Sequence, residues 1–167
     1  MRLFIAVKPG EGFTRALADA QEQIKTAGVR GNYTKKENLH ITLAFIGEYN
    51  DPGRVLRVMK TVPFTPFRVA PEGIGSFGGV FWAGIKGGAA LAAYTKRLRA
   101  ALAENGIPFD KKPFSPHITL LREPRGELPG ITLSPAEFTA RRVSLFRSER
   151  GPDGMIYTEL GHAEAGF

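Results

Sequence analysis

The chain has 167 residues, 43% of them hydrophobic and 23% charged, which is enough to bury the core of one ordinary domain. Its 23 Lys and Arg residues outnumber its 16 Asp and Glu residues, and the formal net charge of +7 favours anionic partners such as nucleotides or RNA. Because cysteine is absent, disulfide scaffolds, thiolate nucleophiles and cysteine-ligated metals are excluded, and we expect a cytoplasmic location. No apolar run approaches the roughly 20 residues that cross a bilayer, so we expect a soluble protein, and its size favours a monomer.

The first 62 residues predict two strands and two helices. Residues 2–7 are rich in β-branched and aromatic side chains, as expected of a buried strand. From 12 to 27, apolar residues recur every three or four positions, which predicts an amphipathic helix. A strand that begins with the tetrapeptide His-Ile-Thr-Leu at His40 follows. Asp51 then provides an N-cap, and Pro52 a first helical residue, for a short helix.

The rest of the chain predicts one helix and five strands. Glycines around Phe77 indicate a hairpin turn, and a second strand begins with His-Ile-Thr-Leu at His117. We predict a helix over 89–104 and strands over 67–76, 79–86, 117–121, 138–149 and 155–160.

The two halves share one order of elements: an apolar strand, a long amphipathic helix and a strand that begins with His-Ile-Thr-Leu. Coincidence is a poor explanation for two copies of this tetrapeptide, since residue frequencies give roughly one chance in a thousand. We therefore predict one domain, 1–167, with an internal duplication into halves of about 1–76 and 77–167. Elements in this order predict an α+β fold of two packed, pseudo-twofold-related lobes.

Strand alternation places the polar side chains of each tetrapeptide on one face. His40 and Thr42 point to one side of their strand, as do His117 and Thr119 on theirs, and the aliphatic residues point to the other side. If the lobes face each other across a cleft, two imidazoles and two hydroxyls converge there. Hydroxyls donate hydrogen bonds to phosphate oxygens and imidazoles give or take a proton, so the pattern predicts a site for a tetrahedral anion.

Other interpretations of these residues fit less well. A single His-x-Thr on a strand is more often a satisfied, partly buried pair without function, and the duplication reverses that preference. Two histidines without a carboxylate or thiolate at ligand spacing make a poor zinc site, so we expect no metal and no other cofactor. Residues 73–78 fit a dinucleotide-binding glycine pattern, but a strand follows where a helix is required. His162 has no Thr two positions later and is assigned no role.

Three segments carry a family resemblance: MRLFIA at 1–6, ENLHITLAFIG at 37–47 and FSPHITLLR at 114–122. They resemble the 2H phosphoesterase superfamily, in the branch of the RNA 2′,3′-cyclic phosphodiesterases, also called the 2′-5′ RNA ligase family. The resemblance implies a bilobal α+β fold in which antiparallel sheets flanked by helices enclose a central cleft. It also implies metal-independent hydrolysis of terminal 2′,3′-cyclic phosphates, with RNA ends or small nucleotides as partners.

The resemblance assigns catalytic roles residue by residue. His40 corresponds to the proton donor, which protonates the departing O3′ and leaves a 2′-phosphate, and His117 corresponds to the proton acceptor, which activates water. Thr42 and Thr119 correspond to the two hydroxyls that hold the phosphate.

The resemblance also suggests three substrate-binding residues, Phe45, Arg122 and Tyr33. Tyr33 stands where members of the family often carry a tryptophan, so it is the candidate for base stacking. Strict alternation puts Phe45 and Arg122 on the face opposite the histidines. A β-bulge or a strand end must therefore turn these two side chains if they contact substrate.

The sequence leaves two alternatives to hydrolysis open. The same site could join or cleave 2′-5′ linkages, because ligation is the hydrolytic reaction run with a sugar hydroxyl in place of water. A non-catalytic nucleotide-binding module would keep the pocket without turnover, but loss of a histidine would be its expected signature, and both histidines are present.

Overall fold

Nine strands and three α-helices make up the part of the chain that the computed structural model describes, residues 1–86 and 88–166. The strands are β1 (Arg2–Val7), β2 (Arg30–Tyr33), β3 (Ile41–Glu48), β4 (Phe67–Phe77), β5 (Val80–Lys86), β6 (His117–Arg125), β7 (Phe138–Ala140), β8 (Arg142–Gly151) and β9 (Gly154–Glu164). The helices are α1 (Glu11–Thr26), α2 (Pro52–Lys60) and α3 (Ala89–Glu104). No helix within the described ranges is both long enough and apolar enough to cross a bilayer.

The strands form two antiparallel sheets. The four-stranded sheet has the order β3-β1-β8-β9, and the five-stranded sheet has the order β2-β6-β5-β4-β7. Each sheet holds one of the two His-Ile-Thr-Leu strands, β3 in the first and β6 in the second. The predicted α+β class with antiparallel sheets is confirmed.

The two long helices bury apolar faces in a core that both sheets share. Their buried residues recur every three or four positions, as an amphipathic helix requires, and each fully buried large side chain contributes about 1.5–3 kcal/mol. Helix α1 contacts β6, and α3 contacts β3, so each helix packs on the motif strand of the other half of the chain. The buried helical residues include Phe13, Leu17, Ala20 and Ile24 of α1 and Leu91, Tyr94, Leu98 and Leu102 of α3.

Most of the predicted elements are found, with two corrections. Helix α3 has its predicted bounds, and Asp51 caps α2 as predicted, because its Oδ1 accepts a hydrogen bond from the Arg54 N–H at 3.0 Å. The prediction of one strand over 138–149 is wrong: the chain changes sheets at Arg141, since β7 pairs with β4 and β8 pairs with β1. His162 lies in β9, beyond the predicted end of that strand at 160, and pairs with Ser144.

Each sheet takes strands from both predicted halves of the chain. Strand β2 comes from the first half and completes the sheet of the second, while β8 and β9 come from the second half and complete the sheet of the first. The duplication into about 1–76 and 77–167 stays a prediction about the repeat. Its boundary does not coincide with the division between the sheets, because β4 begins at Phe67 and lies in the five-stranded sheet.

Candidate active site

Both motif histidines are held by the same backbone contact. His40 Nδ1 lies 2.6 Å from the Asn38 carbonyl oxygen, and His117 Nδ1 lies 2.8 Å from the Ser115 carbonyl oxygen. Because a carbonyl oxygen only accepts, Nδ1 carries the proton in each ring and donates it. Nε2 is therefore the nitrogen of each imidazole that is left to exchange a proton with a ligand.

Aromatic side chains fix the orientation of the two imidazoles. The His40 ring lies 5.0 Å from the ring of Phe4 on β1 and 5.3 Å from the ring of Tyr157 on β9, which it meets edge to face. The His117 ring meets Phe77, at the end of β4, edge to face at 5.4 Å. Each histidine is thus fixed by a ring from another strand of its own sheet.

A β-bulge in β3 brings Thr42 and Phe45 to one face. Thr42 pairs with Ala6 and Phe45 pairs with Phe4, so three residue steps along β3 match two steps along β1. The extra residue reverses the alternation between these two positions, as a bulge does. The predicted condition for Phe45 to share a face with the motif is therefore met.

Strand β6 carries a bulge at the equivalent place. Thr119 pairs with Trp82 and Arg122 pairs with Val80, again three steps against two. Arg122 therefore shares the face of Thr119 and His117. The two copies of the motif agree in their local backbone irregularity as well as in their sequence.

The structure brings most of the predicted site residues to one open cleft of about 820 Å³. His40, Thr42, Phe45 and Arg122 line it together. His117 and Thr119 are not among the lining residues; they lie on the same face of β6 as Arg122. The Thr42 hydroxyl lies 2.8 Å from His40 Nε2 and donates to it when the imidazole is neutral. The remaining lining residues are Met1, Arg2, Phe4, Glu48, Arg147, Ser148, Glu149, Arg150, Met155 and Tyr157.

The environment of His40 favours its neutral form. Burial is the main reason that the pKa of His40 is lowered to about 4; the Asn38 carbonyl opposes the shift, and Arg122, Lys8 and His117 add to it. The ring is therefore neutral at pH 7 when the cleft holds no anion.

Tyr33 lies outside this cleft, in a second cleft of about 880 Å³ beside it. Its hydroxyl donates to the Val29 carbonyl at 2.8 Å, and Lys25 Nζ lies 4.8 Å from its ring centre. A cation therefore already occupies the neighbourhood of the ring, and base stacking by Tyr33 stays a prediction. Both clefts are lined by Arg122, Arg150, Met155 and Tyr157.

Sequence reasoning missed the cleft residues that come from β1, β8 and β9. Arg2 and Phe4 alternate on β1, and Tyr157 contacts His40 from β9. Residues 2–7 are apolar almost throughout, which predicts a buried strand but not which of its faces is turned to the motif; only the strand order shows that. For Tyr157 the sequence offers no local signal, because 117 residues separate it from His40.

The ionisable side chains that line the cleft are mostly basic. Within residues 1–86 and 88–166, no group of three or more His, Asp or Glu side chains is arranged to hold a metal ion. The ionisable groups that line the cleft are mainly arginines with two glutamates, one of which, Glu149, lies 2.7 Å from Arg147.

Two antiparallel sheets that each present a His-x-Thr strand are the arrangement that 2H phosphoesterase membership implies. The sequence pattern of the 2′-5′ RNA ligase superfamily matches residues 13–152. The chain belongs to this superfamily, and the predicted family is confirmed.

Named relatives agree with this assignment. The RNA 2′,3′-cyclic phosphodiesterase of Archaeoglobus fulgidus is 31% identical over 175 aligned positions, and the alignment covers 96% of this chain and 98% of the relative. That of Geobacillus stearothermophilus is 35% identical over 107 residues, which cover 58% of this chain and only 34% of the relative. The crystal structure of TT0787 of Thermus thermophilus superposes with a TM-score of 0.81 at 30% identity, covering 98% of this chain and 97% of that one.

Proposed function

We propose that this chain is an RNA 2′,3′-cyclic phosphodiesterase that opens the terminal cyclic phosphate to a 2′-phosphate without a metal. The observation that carries the proposal is the backbone contact that the two histidines share. Each donates Nδ1–H to a carbonyl, and Nε2 is the nitrogen that faces other partners, in His40 the Thr42 hydroxyl at 2.8 Å. Two such imidazoles supply the acid and the base that a displacement at phosphorus needs.

In the proposed reaction the two histidines act on opposite sides of phosphorus. His117 Nε2 takes a proton from water as the water oxygen bonds to phosphorus, and the P–O3′ bond breaks. His40 Nε2 gives its proton to the departing O3′. Thr42 and Thr119 donate hydrogen bonds to the non-bridging oxygens as negative charge builds on them. The proton lost by His40 equals the one gained by His117, so a proton exchange with solvent resets the site.

The role of His40 as the acid depends on the substrate. The pKa of His40 is lowered to about 4 in the free protein, so His40 carries no proton at Nε2 at pH 7. A bound phosphate places negative charge next to the ring and favours the imidazolium. Binding and protonation of His40 are therefore expected to occur together.

The second cleft supports an RNA end as the substrate in preference to a mononucleotide. A terminal cyclic phosphate occupies both O2′ and O3′ of the last ribose, so the rest of the strand is attached only through O5′ of that nucleoside. The second cleft adjoins the first at Arg122, Arg150 and Tyr157, which bring two cations to it. It adds Lys35 as a third cation, together with the carboxylates of Glu123 and Asp153. Phosphates upstream of the end would lie there. A cytoplasmic location and a monomeric state complete the proposal.

The test is incubation with an oligonucleotide that ends in a 2′,3′-cyclic phosphate, in the presence of EDTA, followed by chromatography of the ends. We expect a 2′-phosphate product, and we expect His40→Ala and His117→Ala each to lower the rate by at least about 10²-fold. A predominantly 3′-phosphate product would refute the assigned direction. Near-native turnover by either folded variant would refute the two-histidine mechanism, and joined strands or unchanged bound RNA would indicate a ligase or a binding module.

A further inference from the structure

The two bulges that shape the cleft share a hydrogen-bonding feature. Leu43 and Leu120 are the residues left without a partner where the register of β3 and β6 shifts. The Leu120 carbonyl accepts a hydrogen bond from Gln21 Nε2 at 2.9 Å, and the Leu43 carbonyl accepts one from Arg99 Nε at 3.0 Å. Each bulge is therefore held by a side chain that lies far from it in sequence.

Gln21 and Arg99 occupy equivalent places in the two halves of the chain. Gln21 lies on α1, ten residues after Glu11, and Arg99 lies on α3, ten residues after Ala89, and both helices have 16 residues. Each side chain reaches the motif strand of the other half. Gln21 and Arg99 thus correspond in position and in contact, although one is an amide and the other a guanidinium. The sequence alone does not match these two residues.

Each of these side chains also donates a second hydrogen bond to the backbone beside the bulged strand. Gln21 Nε2 donates to the Thr34 carbonyl at 2.8 Å, and Arg99 Nη1 donates to the Lys112 carbonyl at 2.8 Å. The first of these flanking segments also bonds directly to its strand, since the Thr34 N–H donates to the Leu120 carbonyl at 3.0 Å. A single side chain thus ties each bulge to the segment next to it.

The two side chains differ in burial: Gln21 is buried, and Arg99 is half-buried. Gln21 is only 7% exposed and lies on the buried face of α1. Burial lowers the pKa of Arg99, with Asp110 opposing the shift, and its guanidinium lies 5.8 Å from the rings of Phe109 and Phe114. Buried polar groups are retained where their hydrogen bonds are satisfied, and here the partners are the bulges themselves.

We propose that Gln21 and Arg99 are paired positioning residues that fix the two bulges and thereby aim Arg122 and Phe45 into the substrate cleft. Gln21 acts on Arg122 through the Leu120 bulge, and Arg99 acts on Phe45 through the Leu43 bulge. Neither residue lines the cleft. A kinetic test of this proposal rests on the proposed phosphodiesterase activity, whereas a test by NMR of the free protein does not.

The variants are Gln21→Met and Arg99→Met, which keep a long side chain and remove the donors. The chain offers a matched control on each helix: Gln23 donates to the Thr132 carbonyl at 2.7 Å and Arg97 donates to the Pro63 carbonyl at 2.9 Å, and neither carbonyl belongs to a motif strand. We expect the two test variants to lower kcat/KM on a 2′,3′-cyclic nucleotide by about tenfold or more, and Gln23→Met and Arg97→Met to stay within about twofold.

A double-mutant cycle separates positioning from general loss of structure. Gln21→Met should lower kcat/KM hardly at all when Arg122 is already alanine, and by its full factor when Phe45 is alanine. Arg99→Met should show the reverse pattern. Equal effects in both backgrounds would overturn the proposal. Should a Met variant fail to fold, Gln21→Asn and Arg99→Lys replace it, since each keeps a donor with altered reach.

The spectroscopic arm uses the protein without substrate. The Phe45 ring resonances should move in Arg99→Met and not in Arg97→Met, and the Arg122 Nε–H resonance should move in Gln21→Met and not in Gln23→Met. Resonances that do not move in the test variants would overturn the positioning proposal. A wild-type protein that is inactive on cyclic phosphates would refute the proposed function and leave the positioning proposal to the resonances.

Discussion

Binding of a phosphate ester is expected to be coupled to protonation of His40. In the free protein the pKa of His40 is lowered to about 4, chiefly by burial and then by Arg122, Lys8 and His117. The perturbation is addition of a nucleoside 2′-phosphate, which is the proposed product and brings negative charge next to the imidazole. The expected result is an upward shift of the His40 titration and uptake of a proton on binding.

The size of the shift follows from the acid role. With a pKa of about 4, roughly one free molecule in a thousand carries a protonated His40 at pH 7. For His40 to be an effective acid near neutrality, the bound ligand must raise its pKa by about three units, which corresponds to about 4 kcal/mol of preference for the imidazolium. A charge-assisted hydrogen bond to a phosphate oxygen in a poorly solvated site can supply an interaction of this order.

The assay is NMR titration of the imidazole C–H resonances between pH 3.5 and 8.5, with and without the 2′-nucleotide, and His40→Ala identifies the signal. Calorimetry in buffers of different ionisation enthalpy measures proton uptake independently. Two results would refute the reasoning: titration of His40 near 6.5 in the free protein, or a His40 pKa that stays below about 5 with ligand bound while turnover persists at pH 7. The second result would make His40 the base instead of the acid.

Three further expectations concern stability, the phosphate and the strand. The pKa of His40 is lower in the folded protein, at about 4, than the unfolded value of about 6.5, so the unfolded state binds a proton first as pH falls. The free energy of unfolding is therefore unaffected by His40 above pH 6.5 and is reduced by about 3 kcal/mol at pH 4. Denaturant titrations should show that it depends less on pH in His40→Ala. Thr42→Ala and Thr119→Ala should each cost about 1.5–3 kcal/mol in kcat/KM through lost hydrogen bonds to phosphate oxygens, and unchanged steady-state kinetics would remove them from the site. Lys35→Ala should lower kcat/KM for a cyclic-phosphate oligonucleotide and not for a cyclic mononucleotide, whereas Lys36→Ala, an exposed neighbour outside both clefts, should change neither.

The motif residues could be predicted from sequence because their information is local. Period-two alternation is a property of any strand, so His40 and Thr42 could be placed on one face without a fold. The same rule misplaces Phe45 and Arg122, since the bulges interrupt it. A bulge depends on the register with a neighbouring strand and on a donor such as Gln21, and neither can be inferred from the strand's own residues.

The exchange of strands between the halves was beyond sequence reasoning for a similar reason. Strand β2 has only four residues, one of them a glycine, and it exists because it adds to the edge of β6. The break at Arg141 separates two stretches that are equally plausible as strand, and only their pairing partners distinguish them. Tertiary pairing decides strand formation where local preference is weak.

The placement of β1 between β3 and β8 has a consequence for synthesis of the protein on the ribosome. Strand β1 is synthesised first, but it can pair with β8 only after most of the chain has been made, because Arg2 pairs with Ser148. His40 contacts the Tyr157 ring only when β9 has formed. Such pairing between distant parts of the chain is slow to form and completes late. A nascent chain therefore has no finished cleft until β8 and β9 have been made and have joined the sheet of β1 and β3.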